Sequence, residues 1–153
     1  EKVSAVGATP LGLGKPDLAF LTLFYPQGVL GQIHVSWVDS NKERFIRIIG
    51  SDARLVFDDL NHLEPIRLFE KGIGLQDKVE AEFGSYGFLL RDGDILSPRI
   101  EQQEPLKKMI DHFIRVVLDN LPSLVDDEFA LNITRTLVAA HKSIKNSGAP
   151  EVL

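Results

Sequence analysis

The sequence predicts an α+β domain: an open, mostly antiparallel β-sheet with helices on one face and the other face available for oligomerisation. Three observations predict it. Period-two alternation and turn residues fill roughly the first 100 positions, and three-four apolar spacing fills roughly the last 50. Strands therefore precede helices instead of alternating with them, the order of an α+β domain and not of a parallel sheet. Both faces of the stretch 17–38 carry large apolar side chains, so a partner is expected on the face that the helices leave free. With 153 residues the chain is one ordinary domain, large enough to close a hydrophobic core.

Lys2-Val3-Ser4-Ala5-Val6 reads as the first strand. It opens the chain with no Met and no signal-peptide pattern, so the sequence is expected to be part of a longer polypeptide. Gly7, Gly12 and Gly14 follow. A dinucleotide fingerprint needs its glycines at a strand-to-helix turn, where amides and the helix dipole meet a pyrophosphate. Here Lys15-Pro16-Asp17 leads into another strand, and no Ser or Thr follows Lys15, so the stretch predicts a hairpin loop. The Leu- and Phe-rich run 17–25 and the alternating run 29–37 flank the compact turn Pro26-Gln27-Gly28 and should pair as an antiparallel hairpin. In the second run Val29, Gly31, Ile33, Val35 and Trp37 share one face, and Gln32, His34 and Ser36 the other.

A second hairpin is expected where 43–49 alternates charged and apolar residues, Gly50-Ser51-Asp52 turns, and 53–57 returns. Shorter strands are expected at 65–70, 88–90 and 95–98. The stretch 71–87, with four glycines and mixed polarity, predicts a long exposed loop or ragged edge. In the first helix Leu106, Met109, Ile110, Phe113, Ile114, Val117, Leu118 and Leu121 keep the spacing of a core-facing stripe. Glu104 and Pro105 suit its first turn, and Pro122 stops it. The second helix starts near Asp126 and ends at Asn146-Ser147-Gly148. Phe129, Ile133, Thr136, Leu137, Ala140 and Ile144 make its main apolar face, while Leu131 and Val138 lie on roughly the opposite side.

The formal charge of −5 does not suit a nucleic-acid partner, because neutralising phosphates takes an excess of Lys and Arg. With no Cys, disulfides, thiol catalysis and cysteine-ligated metals are excluded, and a reducing, cytoplasmic compartment fits. No apolar run reaches the roughly 20 residues that cross a bilayer, so no membrane partner is expected. His34, His62, His112 and His141 form no close metal-binding pair. Asp58-Asp59-Leu60-Asn61 before His62 reads as an acidic turn rather than a cation site. No Ser-His-Asp order or paired carboxylates emerge, so catalytic and metal-binding residues are both expected to be none.

The row Gln32, His34, Ser36 is the most suggestive feature. Three hydrogen-bonding side chains on one strand face suit sugar hydroxyls where that face meets a cleft, and are ordinary exposed residues where it meets solvent. Trp37 suits stacking on a sugar or base, or filling an interface.

Residues 31–37, 44–51 and 55–59, which read Gly-Gln-Ile-His-Val-Ser-Trp, Arg-Phe-Ile-Arg-Ile-Ile-Gly-Ser and Leu-Val-Phe-Asp-Asp, resemble the C-terminal sheet of the Gfo/Idh/MocA oxidoreductase family. Glu104-Pro105-Leu106 with Asp111-His112-Phe113-Ile114 resembles the helix after that sheet. Asp126-Asp127-Glu128 through Ala139-Ala140 to Ser147-Gly148 resembles the family's last helix, with Asp127 where the family has Gly. The resemblance implies that residues 1–153 are a C-terminal substrate and oligomerisation domain, without the N-terminal Rossmann domain. It implies a full-length NAD- or NADP-dependent dehydrogenase acting on a sugar, sugar-nucleotide or cyclitol hydroxyl, most like members that oxidise nucleotide-linked amino sugars. The catalytic Lys and His of such enzymes lie in stretches outside this sequence; Lys2, Lys15 and the four histidines do not match them. This chain alone is then expected to be inactive and to bind no cofactor. Gln32, His34, Ser36 and Trp37 become the substrate-binding candidates, and the open sheet the homo-oligomer interface. A stand-alone, non-catalytic binding or oligomerisation module is the competing reading.

Overall fold

A computed structural model of the chain describes residues 1–70, 72–75, 88–91, 93–101 and 103–153. In chain order the strands are β1 (Lys2–Ala8), β2 (Leu18–Phe24), β3 (Leu30–Ser36), β4 (Phe45–Ile49), β5 (Arg54–Asp58), β6 (Ile66–Phe69), β7 (Gly72–Leu75), β8 (Phe88–Arg91) and β9 (Ile95–Leu96). The helices α1 (Pro105–Asp119) and α2 (Asp127–Lys145) and a last short strand, β10 (Glu151–Val152), follow. Antiparallel strands ahead of two helices make the α+β class that the sequence predicts. The strands divide into a four-stranded sheet β10-β1-β2-β3, a four-stranded sheet β4-β5-β6-β9 and a hairpin β7-β8. The chain folds as two compact units, Glu1–Asn41 with Met109–Leu153, and Lys42–Lys108.

In the first unit, β2 and β3 pair from Leu18↔Ser36 to Phe24↔Leu30, the hairpin expected around Pro26-Gln27-Gly28. The turn closes because Gln27 and Gly28 take positive φ (60° and 77°) and Tyr25 N–H donates to Val29 O at 2.9 Å. β1 pairs with β2 from Lys2↔Phe24 to Ala8↔Leu18. Strand alternation then places Val3, Ala5, Leu21 and Leu23 on one face, and these pack with Ala139, Ala140 and Ile144 of α2 into the core.

That contact bears out Ala140 and Ile144 of the apolar face expected for α2 and corrects the rest. Phe129, Ile133 and Leu137 are exposed, whereas Ala139, Ala140 and Ser143 are buried. Small side chains at i, i+1 and i+4 let the helix lie close on β1. The buried Ser143 Oγ accepts Ala5 N–H at 2.8 Å and lies 2.6 Å from Ala149 O, to which it donates. Both ends of α2 are capped. Asp126 Oδ1 accepts Phe129 N–H at 2.8 Å, with Asp127 and Glu128 in the first turn and Lys142 and Lys145 in the last. At the other end Gly148 N–H donates to Ser143 O at 2.8 Å and Ser147 N–H to Ile144 O at 3.3 Å, a Schellman closure with Ser147 at φ 57°.

Helix α1 departs further from expectation. Its stripe Leu106, Met109, Ile110, Phe113, Ile114 and Val117 is exposed, and no residue of the helix is buried. It ends at Asp119 with Asn120 at φ 53°, ahead of Pro122. His112 ties the connection to α2, its Nε2 accepting Leu124 N–H at 3.2 Å.

In the second unit, β4 pairs with β5 from Phe45↔Asp58 to Ile49↔Arg54, as the second hairpin requires. The acidic turn after β5 spends its oxygens on backbone: Asp58 Oδ1 accepts Leu60 N–H, and Asn61 Oδ1 accepts Leu63 N–H and Glu64 N–H. Within the stretch expected to be a loop, Gly72–Leu75 is a strand paired with β8; residues 76–87 lie outside the described residues. The mixed polarity hid it because Gly72 is chosen by backbone crowding: a Cβ there would stand 2.6 Å from Ser51 O.

Candidate functional site

Three of the four predicted binding residues, Gln32, His34 and Ser36, occupy the face of the first sheet opposite α2. Register sets three rows there: Ser4, Thr22 and Gln32; Val6, Phe20 and His34; Ala8, Leu18 and Ser36. Gln32 and His34 are exposed and Ser36 is half-buried. The His34 ring stacks on Phe20, with centroids 4.5 Å and planes 9° apart. Such a stack is worth roughly 0.5–1.5 kcal/mol and fixes the ring plane, leaving the nitrogens at its edge to donate or accept.

Ser36 does double duty. Its Oγ accepts Val38 N–H at 3.1 Å and Asp39 N–H at 3.2 Å, which turns the chain away at the strand end. Among the described residues its hydroxyl donates to no partner. Trp37 follows the last residue of β3 and so lies outside the alternation that groups the other three. Its backbone is held, N–H donating to Asp17 O at 2.8 Å, while 86% of the residue is exposed. The indole is thus displayed on a pinned backbone and is not packed in this chain's core.

Asp17 and Phe20 are the residues that sequence reasoning missed. Asp17 is buried: its N–H donates to Ala8 O at 3.0 Å, its Oδ2 accepts Leu11 N–H at 3.0 Å, and its carbonyl receives Trp37. It thereby ties the loop after β1 to the end of β3. Oδ1 has no partner among the described residues. Phe20 was legible in principle, since a turn centred on Gln27 puts it opposite His34.

The row lies outside two hollows on the described residues: one of about 310 Å³ is lined by Leu137, Val138 and His141 among others, and one of about 450 Å³ by Phe24, Tyr25 and Pro150 among others. The glycine loop does not fit a dinucleotide either. Gly12 and Gly14 take φ 69° and 71° in a connection between two antiparallel strands, with no helix N-terminus to meet a pyrophosphate. Among the described residues no group of three His, Asp or Glu gathers as a metal site would need. Among the described residues no helix is long and apolar enough to cross a membrane.

The family model of the Gfo/Idh/MocA oxidoreductases, C-terminal alpha/beta domain, matches residues 2–152. Solved structures share the fold. The UDP-N-acetylglucosamine 3-dehydrogenase GnnA from Acidithiobacillus ferrooxidans aligns over 93% of this chain and 42% of its own, at 20% identity and a TM-score of 0.63. The aldose-aldose oxidoreductase from Caulobacter crescentus, complexed with glycerol, aligns over 99% and 41%, at 16% identity and a TM-score of 0.67. GenD2 from gentamicin A biosynthesis, in complex with NAD, aligns over 99% and 41%, at 20% identity and a TM-score of 0.68. The chain thus spans about two fifths of the length of each. No curated protein matches it in sequence.

Proposed function

The chain belongs to the Gfo/Idh/MocA oxidoreductase family, as its C-terminal alpha/beta domain, and on that basis we propose that it forms the substrate side of a nicotinamide-dependent dehydrogenase. The substrate is a sugar, sugar-nucleotide or cyclitol, oxidised at a hydroxyl. NAD or NADP is held by a Rossmann domain outside this sequence, where hydride transfer and proton abstraction also take place. The solved relatives support the class, since one is a dehydrogenase of a nucleotide-linked amino sugar and another is complexed with NAD.

The observation that carries the reading is the polar row Gln32, His34, Ser36 on the sheet face that α2 leaves uncovered, with Phe20 behind His34. Fixed donors and acceptors on a rigid strand suit a polyhydroxylated ligand better than a loop would. Trp37 adds a stacking surface at the end of the row. The apolar part of the same face, Val6, Phe24 and Leu30, receives a second copy, so the parent works as a homo-oligomer.

The test is a panel of sugars and nucleotide sugars given to the full-length protein with NAD or NADP, followed by nicotinamide absorbance. Turnover of at least one class is expected. The variant His34→Ala should lower kcat/KM on that substrate by about 10- to 100-fold, the loss of one or two hydrogen bonds to a bound ligand. An unchanged kcat/KM would remove the row from the substrate wall, and no turnover with any sugar would remove the reading itself.

A further inference from the structure

Helix α2 outruns the strand it packs on. Ser143 Oγ accepts Ala5 N–H, and a Cβ at Gly7 would stand 3.3 Å from Ile144 Cδ1, so the two elements run in the same sense. The core gathers Ala139 and Ala140 with Val3 and Ala5, near the start of β1. Toward its own N-terminus α2 continues to Asp127, roughly 18 Å beyond Ala139 at about 1.5 Å per residue.

The helix face that buries Ala140 continues along this extension. At about 3.6 residues per turn, Thr136, Ile133 and Phe129 fall on the same stripe as Ala140. Burial falls away along it: Ala140 is 5% exposed, Thr136 is half-buried, Ile133 is 46% exposed and Phe129 51%. One stripe is therefore covered where β1 lies beneath it and bare where β1 stops. The bare half carries the larger side chains. Ala lets a strand lie close, whereas Ile and Phe reach toward a cover that stands farther off.

A hollow of about 450 Å³ lies at the same end of the sheet, lined by Glu1, Lys2, Phe24, Tyr25, Pro26 and Pro150. The Tyr25 ring leans on Gly31, where a Cβ would stand 3.3 Å from its Cε2. Gly31 pairs with Leu23, a residue of the face that α2 covers, so this aromatic wall stands on the α2 side of the sheet.

We propose that the polypeptide preceding Glu1 in the longer parent runs along this hollow and beneath the N-terminal half of α2, covering Phe129 and Ile133. The proposal rests on the reading of the chain as the C-terminal part of a longer enzyme, since it spans about two fifths of its solved relatives. From Ala139 back to Phe129 is roughly 15 Å, a distance that about five extended residues span. Attachment at Glu1 holds that segment beside the bare stripe at high effective concentration, whereas a second copy must reach it from solution.

Cysteine pairs in the full-length protein test the arrangement. Residues 1–153 contain no Cys, and any native ones elsewhere can be replaced by Ser. A disulfide closes only where the two Cα atoms come within about 7 Å. Ile133→Cys is combined in turn with a Cys at each of about five positions before Glu1, and the disulfides formed under mild oxidation are mapped by peptide mass spectrometry. At least one pair should close within a single chain, with ten times or more the yield given by a Cys placed well upstream of them. Phe129→Cys repeats the scan if Ile133→Cys folds poorly. No disulfide from either helix position overturns the proposal. So do disulfides that form only between copies, or only with Met109→Cys or Phe113→Cys on α1, which name a second copy or α1 as the cover. The readout needs neither sugar nor nicotinamide, so the polar row on β3 can fail its own test while this one succeeds, and the reverse.

Discussion

The two helices carry similar sequence signals and meet opposite fates. Helix α1 has the stronger apolar stripe, Leu106 through Val117, and buries none of it. Helix α2 leaves its large residues Phe129, Ile133 and Leu137 outside and packs on β1 with Ala139, Ala140 and Ser143. An apolar stripe therefore announces that a helix has a surface to cover, without saying what covers it. Close contact within the chain is decided instead by small side chains and by one serine that satisfies backbone groups which the contact would otherwise strand.

The largest effect is expected where that contact is tightest. Ser143 is fully buried, and its Oγ bonds Ala5 N–H and Ala149 O. Ser143→Val adds volume between α2 and β1 and leaves Ala5 N–H without an acceptor. Overpacking costs about 1–3 kcal/mol and a stranded buried donor about 1–3 kcal/mol more. Urea unfolding should show a loss of about 2–6 kcal/mol, a large share of the roughly 5–15 kcal/mol that holds an ordinary domain. A loss below about 1 kcal/mol would mean that α2 does not sit on β1 as described.

A smaller effect is expected at the C-terminal closure of α2. Gly148 has φ 88°, and a Cβ there would stand 2.9 Å from Val6 Cγ1. Gly148→Ala should cost about 1–2 kcal/mol from the left-handed backbone alone, with the contact adding to it. A mutant as stable as the parent by thermal melting would show that the closure opens freely and that the small-residue contact does not depend on it.

What was legible in the sequence divides along the same line. The elements of the first hairpin, the second hairpin and both helices follow from period and turn residues, because those signals are local. The row Gln32, His34, Ser36 follows too, since alternation places it and the turn at Gln27 pins its register. Two things were not legible, each for a physical reason. On α2 the apolar template finds Ala140 and Ile144 but misses Ala139 and Ser143, small residues that it scores as neutral. The strand Gly72–Leu75 pairs with β8, and its Gly72 stands against the backbone of Ser51 and Asp52, both tertiary properties.

The smallest expected effect sharpens the comparison most. Phe113 is 66% exposed at the centre of the α1 stripe. Substituting a large aromatic residue in a core costs about 3–5 kcal/mol, whereas an exposed surface position moves stability by about 0.5 kcal/mol or less. If α1 is uncovered in the isolated chain, Phe113→Ser belongs to the second class, and urea unfolding at low protein concentration should show a change within about 0.5 kcal/mol of zero. The control is Ala140→Ser on α2, a chemically milder change at a buried position, which introduces a hydroxyl beside Val3 and Ala5 and should cost more, about 1–3 kcal/mol. That ordering, the gentler substitution doing the greater damage, holds only if burial and not hydrophobicity distinguishes the two helices. A loss of 2 kcal/mol or more at Phe113 would place its ring in a packed environment, and the contrast between α1 and α2 would reduce to two core helices that differ only in the size of their contact residues.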